Sequence, residues 1–292
     1  LWRMGGHNPV KQLREISADR LKAVAADAAF LALYDSVMAA FDADMSAGDT
    51  WFAKYPNRLS GPIAFFSAEF AIHNSLPIYA GGLGVLAGDI CKEASDLGLS
   101  LVGVGLMYPQ GYFHQRISAD GWQEEVYRQL DFDEVPINPI ISPRGHRLHA
   151  QVQLDNRFVS IRVWQIRVGR TNIYLLCTNV EENTPQDRQL SARLYIADRA
   201  LRIQQEIVLG IGGVHVLRAL GIEPSLWHAN EGHTAFLMLE RVREEVAKGA
   251  SFDEALRRVR TTTVFTTHTP VPAGHDVFPV QLVEKYLHGY WE

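Results

Sequence analysis

The chain has 292 residues, is 47% hydrophobic and carries a formal net charge of −5. The length fits one large domain or two ordinary ones, and the apolar fraction is enough for a sizeable core. An acidic balance without a basic run argues against a nucleic acid partner, and the longest apolar stretch, residues 99–107, is too short to cross a membrane. Cys91 and Cys177 lie far apart and the start does not resemble a signal peptide, which favours a reduced, cytoplasmic protein.

Residues 1–60 are predicted to form a helical lead-in. Apolar residues recur at helical spacing from His7 to about Met45, and Ser17 and Asp19 are suitable caps between two helices. Residues 51–61 are predicted to be a loop that leads into the first strand.

A strand, a helix and a second strand follow, with a glycine-rich turn at the start of the helix. Residues 63–67 and 101–106 are continuous apolar runs of the kind that form buried parallel strands. Between them, Gly81, Gly82 and Gly84 precede a run with apolar residues at gaps of three and four. This pattern predicts a βαβ unit whose glycine turn and helix N-terminus can hold an anion, most often phosphate.

The glycine turn also matches part of a dinucleotide-binding fingerprint, Gly82-x-Gly84-x-x-Ala87. That fingerprint needs a strand directly before it and an acidic residue about 20 residues later. Here the strand ends well before the glycines, and no acid lies between Asp96 and Asp120. We therefore discount NAD, and a tight helix entry without any ligand remains the alternative.

Alternating or apolar segments within residues 110–188 are separated by turn signals and predict antiparallel β-hairpins inserted into the α/β unit. A long helical pattern over residues 190–220 is interrupted by glycines, which predicts two helices or a bend. Residues 225–228 and 263–267 are predicted strands, and Asn230 is a suitable N-cap for the helix after the first of them.

Three corners, each joining a strand to the next segment, are candidates for one site: the glycine turn, the loop 228–233 and the proline-containing loop 267–275. In an open parallel sheet such corners lie at the carboxyl edge, where ligands bind. His228, Glu231 and His233 do not have the spacing of a helical zinc site, so we assign no metal.

Each corner also has an interpretation without a ligand. The 228–233 loop would present polar residues to sugar hydroxyls, or Asn230 would simply cap a helix, which the local spacing favours. His268 would bind a ligand or bond to backbone, and Glu69 would orient groups in the cleft or cap the following turn.

Seven motifs resemble those of the α-glucan (glycogen, starch, maltodextrin) phosphorylases in their shorter bacterial and archaeal form. They occur in order over nearly the whole chain, at residues 65–70 (Phe-Phe-Ser-Ala-Glu-Phe), 76–89, 94–98, 101–113, 202–206, 228–235 (His-Ala-Asn-Glu-Gly-His-Thr-Ala) and 266–271. The resemblance implies an α/β fold: the Rossmann-like N-terminal domain of a B-type glycosyltransferase (GT-B), into which the antiparallel β region predicted at 110–188 is inserted.

The same resemblance implies phosphorolysis of an α-1,4-glucan from its non-reducing end. Orthophosphate would be the acceptor and α-glucose 1-phosphate the product, with the anomeric configuration retained. Pyridoxal phosphate is the implied cofactor, its phosphate group exchanging a proton with the substrate phosphate. A homo-oligomer of the full-length enzyme is possible.

Carried over by motif, the backbone at Gly81, Gly82 and Leu83 would face the phosphates. His268 would contact the reacting glucosyl unit, with its main-chain carbonyl near the developing positive charge. Residues predicted to line or adjoin the same site are Glu231, His233, Glu69, Asn230 and Asp198.

The chain departs from the family pattern in two ways. Nothing in it resembles the C-terminal half, which holds the cofactor lysine and the main phosphate-binding cations. Because the chain also begins at Leu1 and ends at Glu292 within a predicted helix, we expect a fragment. The stretch 195–198 lacks the glycine pair that the short enzymes usually carry before the aspartate, so a gating-loop role for Asp198 does not follow.

Two other functions remain open. A sugar-nucleotide glucan synthase shares the GT-B fold but usually carries a lysine beside its N-terminal glycine loop, and here the first lysine after the turn is Lys92. A non-catalytic glucan-binding module would need an aromatic surface groove and no anion site.

Overall fold

The computed structural model describes residues 2–3, 5–55, 58–141, 145, 147–271 and 275–290. The chain ends, Leu1 and Glu292, and residues 272–274 of the predicted proline-containing loop lie outside the described residues. The helical lead-in is present as α1 (Pro9–Glu15), α2 (Ala18–Ala25) and α3 (Ala28–Ser46).

The caps of the lead-in follow the sequence in part. Ser17 caps α2 through the N–H of Arg20, as predicted, whereas Asp19 lies in the first turn and Asp27 caps α3. Within the described residues no single helix has the length and apolarity to cross a membrane. Only α2 and α3 taken together reach that length and composition, with a bend of 86° between them.

The strands in the described residues are, in chain order, β1 (Ile63–Phe66), β2 (Leu101–Leu106), β3 (His114–Ile117), β4 (Gln123–Val126), β5 (Asn138–Pro139), β6 (His149–Leu154), β7 (Arg157–Val168), β8 (Thr171–Cys177), β9 (Leu226–Asn230) and β10 (Thr263–Thr266). Eight of them form one sheet in the order β10-β9-β1-β2-β8-β7-β5, with β6 on β7. From β10 to β8 all neighbours are parallel, and β7 pairs antiparallel with β8, β6 and β5.

The predicted βαβ unit is confirmed. The helix α4 (Gly82–Leu97) connects β1 to β2, whose residues pair in register from Ile63–Leu101 to Phe66–Val104. Apolar residues on both faces of β1 and β2 are buried, as expected for parallel strands covered on both sides. The helix ends at Gly98, whose φ of +70° favours glycine.

The antiparallel strands predicted within residues 110–188 are present, but they extend the main sheet. The reason is that β8 pairs with β2 on one side and with β7 on the other. The hairpin β3–β4 forms a separate two-stranded sheet. The sequence therefore indicated the strands correctly and left open how they join the parallel part.

The helical pattern over 190–220 begins later than predicted and, as one of the two predicted alternatives had it, contains two helices. It consists of α5 (Arg199–Ile207), a π-helical segment (Val208–Gly212) and α6 (Gly213–Ala219). The glycines permit close packing, since a Cβ on Gly210 would lie 2.6 Å from the backbone N of Leu237. After β9 come α7 (Phe236–Ala247) and α8 (Phe252–Thr261), and α9 (Val280–Leu287) follows β10.

The order of the parallel strands reverses between β1 and β9. From β1 the chain moves through α4 to β2 and then β8, and from β8 it returns through α5 and α6 to β9 on the other side of β1. Because both crossovers are right-handed in folds of this kind, α4 and α6 lie on opposite faces. A crevice at the carboxyl ends of β1 and β9 follows, which is where open α/β sheets bind ligands.

Candidate functional site

A cavity of about 430 Å³ lies in the region predicted for the site. Its lining residues come from α4, the loop before α5, α5 itself, the corner after β9 and the segments after β10; they are Leu83, Tyr195, Ile196, Ala197, Arg202, His233, Thr269 and Asp276. The three corners predicted to converge therefore each contribute at least one residue to the cavity.

The glycine turn is organised around Glu69, which follows β1 and is 2% exposed. The Glu69 carboxylate accepts hydrogen bonds from the N–H of Ala80 at 2.6 Å and of Gly81 at 3.2 Å. Capping the turn is one of the two roles predicted for Glu69. A Cβ on Gly84 would lie 2.7 Å from Glu69 Oε2, so glycine is needed there for close approach.

This arrangement corrects the prediction for the backbone at the turn. The N–H of Gly81 is occupied by Glu69 and is not free for a phosphate. Within the described residues, the N–H groups of Gly82 and Leu83 have no hydrogen-bond partner. The anion-binding capacity of the helix N-terminus thus rests on Gly82 and Leu83.

The prediction that Asn230 caps a helix is wrong. Asn230 ends β9 and is 1% exposed; its amide donates to Ser67 Oγ at 3.1 Å, and its Oδ1 lies 3.3 Å from His268 Nε2. A 3₁₀ turn (Gly232–Thr234) follows and α7 begins only at Phe236. The buried amide of Asn230 therefore connects the end of β1 with the corner after β10. It can do so because β9 lies between β1 and β10 in the sheet.

Glu231 is a structural clamp between two corners. It is fully buried with a φ of +65°, and its carboxylate accepts the N–H of His268 at 2.6 Å and of Thr269 at 2.9 Å. Burial opposes the charge, but these backbone hydrogen bonds outweigh it and lower the pKa of Glu231. Glu231 therefore fixes the backbone of the corner after β10, and it is not among the residues that line the cavity.

The side chain of His268 is about one third exposed and lies next to Thr269, which lines the cavity. Its Nε2 is 3.3 Å from Asn230 Oδ1 and 3.8 Å from Glu231 Oε1. Two side chains of the corner after β9, Asn230 and Glu231, thus orient the imidazole. The predicted alternative, a hydrogen bond from the imidazole to the backbone, is not observed among the described residues.

His233 lies in the 3₁₀ turn and lines the cavity, as predicted. Its Nε2 is 3.6 Å from Asp276 Oδ2, and its buried Nδ1 has no partner among the described residues. Burial and the nearby Arg202 guanidinium lower the pKa of His233 to about 4. The imidazole is therefore neutral at pH 7 and presents an uncharged ring nitrogen.

The sequence analysis did not predict a cluster of three ionisable side chains, which is formed by Arg202, Glu206 and Asp276. Arg202 Nε lies 3.0 Å from Glu206 Oε1, and its Nη2 lies 3.1 Å from Asp276 Oδ2. Burial and a hydrogen bond with Asp276 raise the pKa of Glu206 to about 9, so Glu206 carries a proton at pH 7. The Arg–Glu spacing of four on a helix was a usable signal, but nothing local marks Asp276 as the third member.

Asp198 lies beside the site without facing it. Its carboxylate caps α5 by accepting the N–H of Leu201 at 2.9 Å and is exposed. The three residues before it, 195–197, do line the cavity. Tyr195 is not among the predicted site residues, although it lines the cavity and its hydroxyl donates a hydrogen bond to Glu69.

Comparison with known proteins gives several close relatives. The chain is 46% identical to maltodextrin phosphorylase of Thermococcus litoralis over 285 residues, 41% identical to glycogen phosphorylase of Aquifex aeolicus over 287, and 43% identical to glycogen phosphorylase of Mycobacterium tuberculosis over 300. Each alignment covers 98% of this chain but only 34%, 40% and 35% of the relative. A family model described as a protein of unknown function (DUF3417) matches residues 1–76.

The resemblance drawn from the motifs is therefore confirmed by relatives aligned over almost the whole chain. The chain spans between a third and two fifths of their length. By sequence, the chain is similar over almost its whole length to proteins named glycogen or maltodextrin phosphorylase.

Proposed function

We propose that this chain is the N-terminal part of an α-glucan phosphorylase with the GT-B fold. The enzyme transfers a glucosyl unit from the non-reducing end of an α-1,4-glucan to orthophosphate and releases α-glucose 1-phosphate with retained configuration. The observation that carries the proposal is the single cavity to which Leu83, His233 and Thr269 contribute from three separate corners, in a chain whose relatives are named phosphorylases.

The charges around the cavity suit a neutral sugar next to an anion. Arg202 and Asp276 compensate each other, Glu206 is protonated and His233 is neutral at pH 7. The open N–H groups at the N-terminus of α4 supply the positive end of a helix dipole. A glucosyl unit would bind beside the neutral cluster and a phosphate against the turn.

The residues of this chain act by position and electrostatics. In the proposed reaction the main-chain carbonyl of His268 faces the positive charge that develops on the glucosyl unit, and Glu231 holds that peptide in place through two N–H bonds. The N–H groups of Gly82 and Leu83 hold phosphate oxygens. Such preorganised groups lower the barrier because they need not reorient during the reaction.

Pyridoxal phosphate is the proposed cofactor, and the residues described here fit one part of it. The open N–H groups of Gly82 and Leu83 suit a phosphate, whereas no lysine lines the described cavity. When bound, the cofactor would supply a phosphate group that exchanges a proton with the substrate phosphate. Its lysine would come from the part of the protein that this chain does not include. We also propose that the full protein is cytoplasmic and forms homo-oligomers.

A chimeric enzyme tests this function. Residues 1–290 would replace the matching segment of the Thermococcus litoralis maltodextrin phosphorylase, and maltoheptaose with orthophosphate would be assayed for α-glucose 1-phosphate. We expect phosphate-dependent product, and a loss of at least about a hundredfold in kcat for His268→Ala, which removes the imidazole proposed to contact the glucosyl unit and keeps the main-chain carbonyl. The matched control is His215→Ala, since the imidazole of His215 also contacts a buried carboxylate, Glu240 Oε1 at 2.9 Å, but lies in α6 and lines a different cavity.

The other functions give different results in the same assay. Glucosyl transfer from a nucleotide sugar without phosphate dependence would indicate a glucan synthase. Binding of maltoheptaose with no product in a folded chimera would indicate a glucan-binding module. Either result would overturn the proposal.

A further inference from the structure

The carboxylate of Glu69 connects two segments that are far apart in sequence. One oxygen accepts the N–H groups of Ala80 and Gly81, and the other accepts the hydroxyl of Tyr195, 126 residues further along the chain. In the described part of the chain, no cation forms an ion pair with Glu69. The hydrogen bonds of this buried carboxylate therefore depend on these three donors, and a buried polar group that loses a donor is destabilised.

Tyr195 is held in an unusual conformation at this point. Its φ of +59° lies in the left-handed region, which non-glycine residues adopt at a cost of about 1 kcal/mol or more. Its ring meets those of His233 and Tyr112 edge to face, with centroids 5.9 and 6.3 Å away, and the Arg202 guanidinium lies 5.3 Å from the ring centre. The surrounding contacts thus keep the residue strained and its hydroxyl directed at Glu69.

Tyr195 also belongs to the cavity. It lines the space together with Ile196, Ala197 and Leu83. The side chain of Tyr195 therefore contacts both the cavity and the carboxylate of Glu69. That carboxylate holds Ala80 and Gly81, and the next two N–H groups, of Gly82 and Leu83, have no partner among the described residues. If the 195–197 segment moves, the carboxylate of Glu69 loses the hydrogen bond from the Tyr195 hydroxyl.

We propose that Tyr195 is a positioning residue for the glycine turn. Through Glu69 its hydroxyl sets the backbone of residues 80–83, so that occupation of the cavity and anion binding at Gly82 and Leu83 are coupled. Such coupling is reciprocal: an anion on the turn stabilises the bonded position of Tyr195, and a ligand that displaces Tyr195 weakens anion binding. The proposal rests on the proposed function in taking orthophosphate as the anion.

Amide NMR of the 292-residue chain tests the coupling, with Tyr195→Phe as the variant. Tyr290→Phe is the matched control, because Tyr290 also donates its hydroxyl to a buried glutamate, Glu240, at 2.7 Å, outside the site. Without ligand, we expect hydrogen exchange at Ala80 and Gly81 to be about tenfold faster in Tyr195→Phe, with upfield shifts of both amide protons. Exchange in β1 and β2 should not change.

Orthophosphate titration is the second measurement. In the unaltered chain, phosphate should shift the Gly82 and Leu83 amides, and the apparent Kd should rise several-fold in Tyr195→Phe but not in Tyr290→Phe. Exchange at Ala80 and Gly81 that is unchanged, or raised equally throughout the chain in both variants, would overturn the proposal. If exchange responds as expected but phosphate shifts neither amide, the phosphate site of the proposed function fails, and with it the coupling to an anion.

Discussion

The carboxylate of Glu231 accepts the backbone N–H of His268 at 2.6 Å, although the two residues belong to different corners of the sheet. Glu231 follows β9 and His268 follows β10, and the two parallel strands end side by side. The same carboxylate accepts the N–H of Thr269. A fully buried charge thus holds the peptide proposed to face the reacting sugar.

Replacing Glu231 by alanine should destabilise the chain by about 3 kcal/mol, because two buried N–H groups lose a charged acceptor. The free energy of unfolding in urea measures this. Asp198→Ala is the control, since it removes an exposed carboxylate that caps α5 and should cost only about 1 kcal/mol. A loss for Glu231→Ala no larger than that of the control would contradict the clamp.

The pH dependence of the Glu231 contribution has a defined sign. Its pKa in the folded chain is lowered from the ordinary value of 4.5. The stabilisation is therefore present above pH 4.5 and is lost as the pH falls through the folded pKa. The difference in unfolding free energy between the unaltered chain and Glu231→Gln should shrink below pH 4.5 and stay constant from pH 6 to 8.

Glu206 should give the opposite dependence. Its folded pKa of about 9 lies above its ordinary value of 4.5, so its stabilisation is complete below pH 4.5 and declines up to pH 9. The slope reaches up to about 1.4 kcal/mol per pH unit. Glu206→Gln removes the titration but keeps a similar shape, so the variant should gain stability relative to the unaltered chain between pH 5 and 8. Urea unfolding at three pH values checks this, and parallel curves for the two proteins would refute it.

Two glycines of the turn should respond differently to alanine. A Cβ on Gly84 would lie 2.7 Å from both Glu69 Oε2 and Tyr79 Cβ, whereas nothing lies within 4 Å of a Cβ on Gly82. We expect Gly84→Ala to cost about 1–3 kcal/mol through overpacking, and Gly82→Ala to be neutral or slightly stabilising. Thermal unfolding of both variants measures the contrast, and equal midpoints would show that Glu69 does not constrain the turn.

The 292-residue chain by itself should not form a covalent adduct with pyridoxal phosphate and should not release glucose 1-phosphate from maltoheptaose. The cavity described here lacks a lysine, and the chain spans at most about two fifths of its aligned relatives. Absorbance after borohydride reduction and a coupled product assay are the measurements. Turnover by the chain alone would mean that the site is complete within these residues.

Much of the fold was predictable because the spacing of apolar residues indicates which face of each helix or strand is buried. The apolar runs at β1 and β2 and the three-and-four spacing of α4 gave the βαβ unit with nearly correct bounds. The strand β9 was predicted too short, and this error placed Asn230 in a helix cap. A lone polar residue at a strand end has the same local signature as an N-cap, and only its neighbours in the sheet distinguish the two.

The sequence by itself determined the local elements, the glycine corner and the family resemblance, because spacing and motif are properties of contiguous residues. Only the tertiary structure decided which atoms of the site are engaged. Glu69 meets Tyr195 across 126 positions and Arg202 meets Asp276 across 74, and such partners are brought together by the strand order and helix packing. A buried carboxylate must find donors wherever the fold provides them, so the roles of Glu69, Glu231 and Glu206 could not be inferred from their own surroundings in the chain.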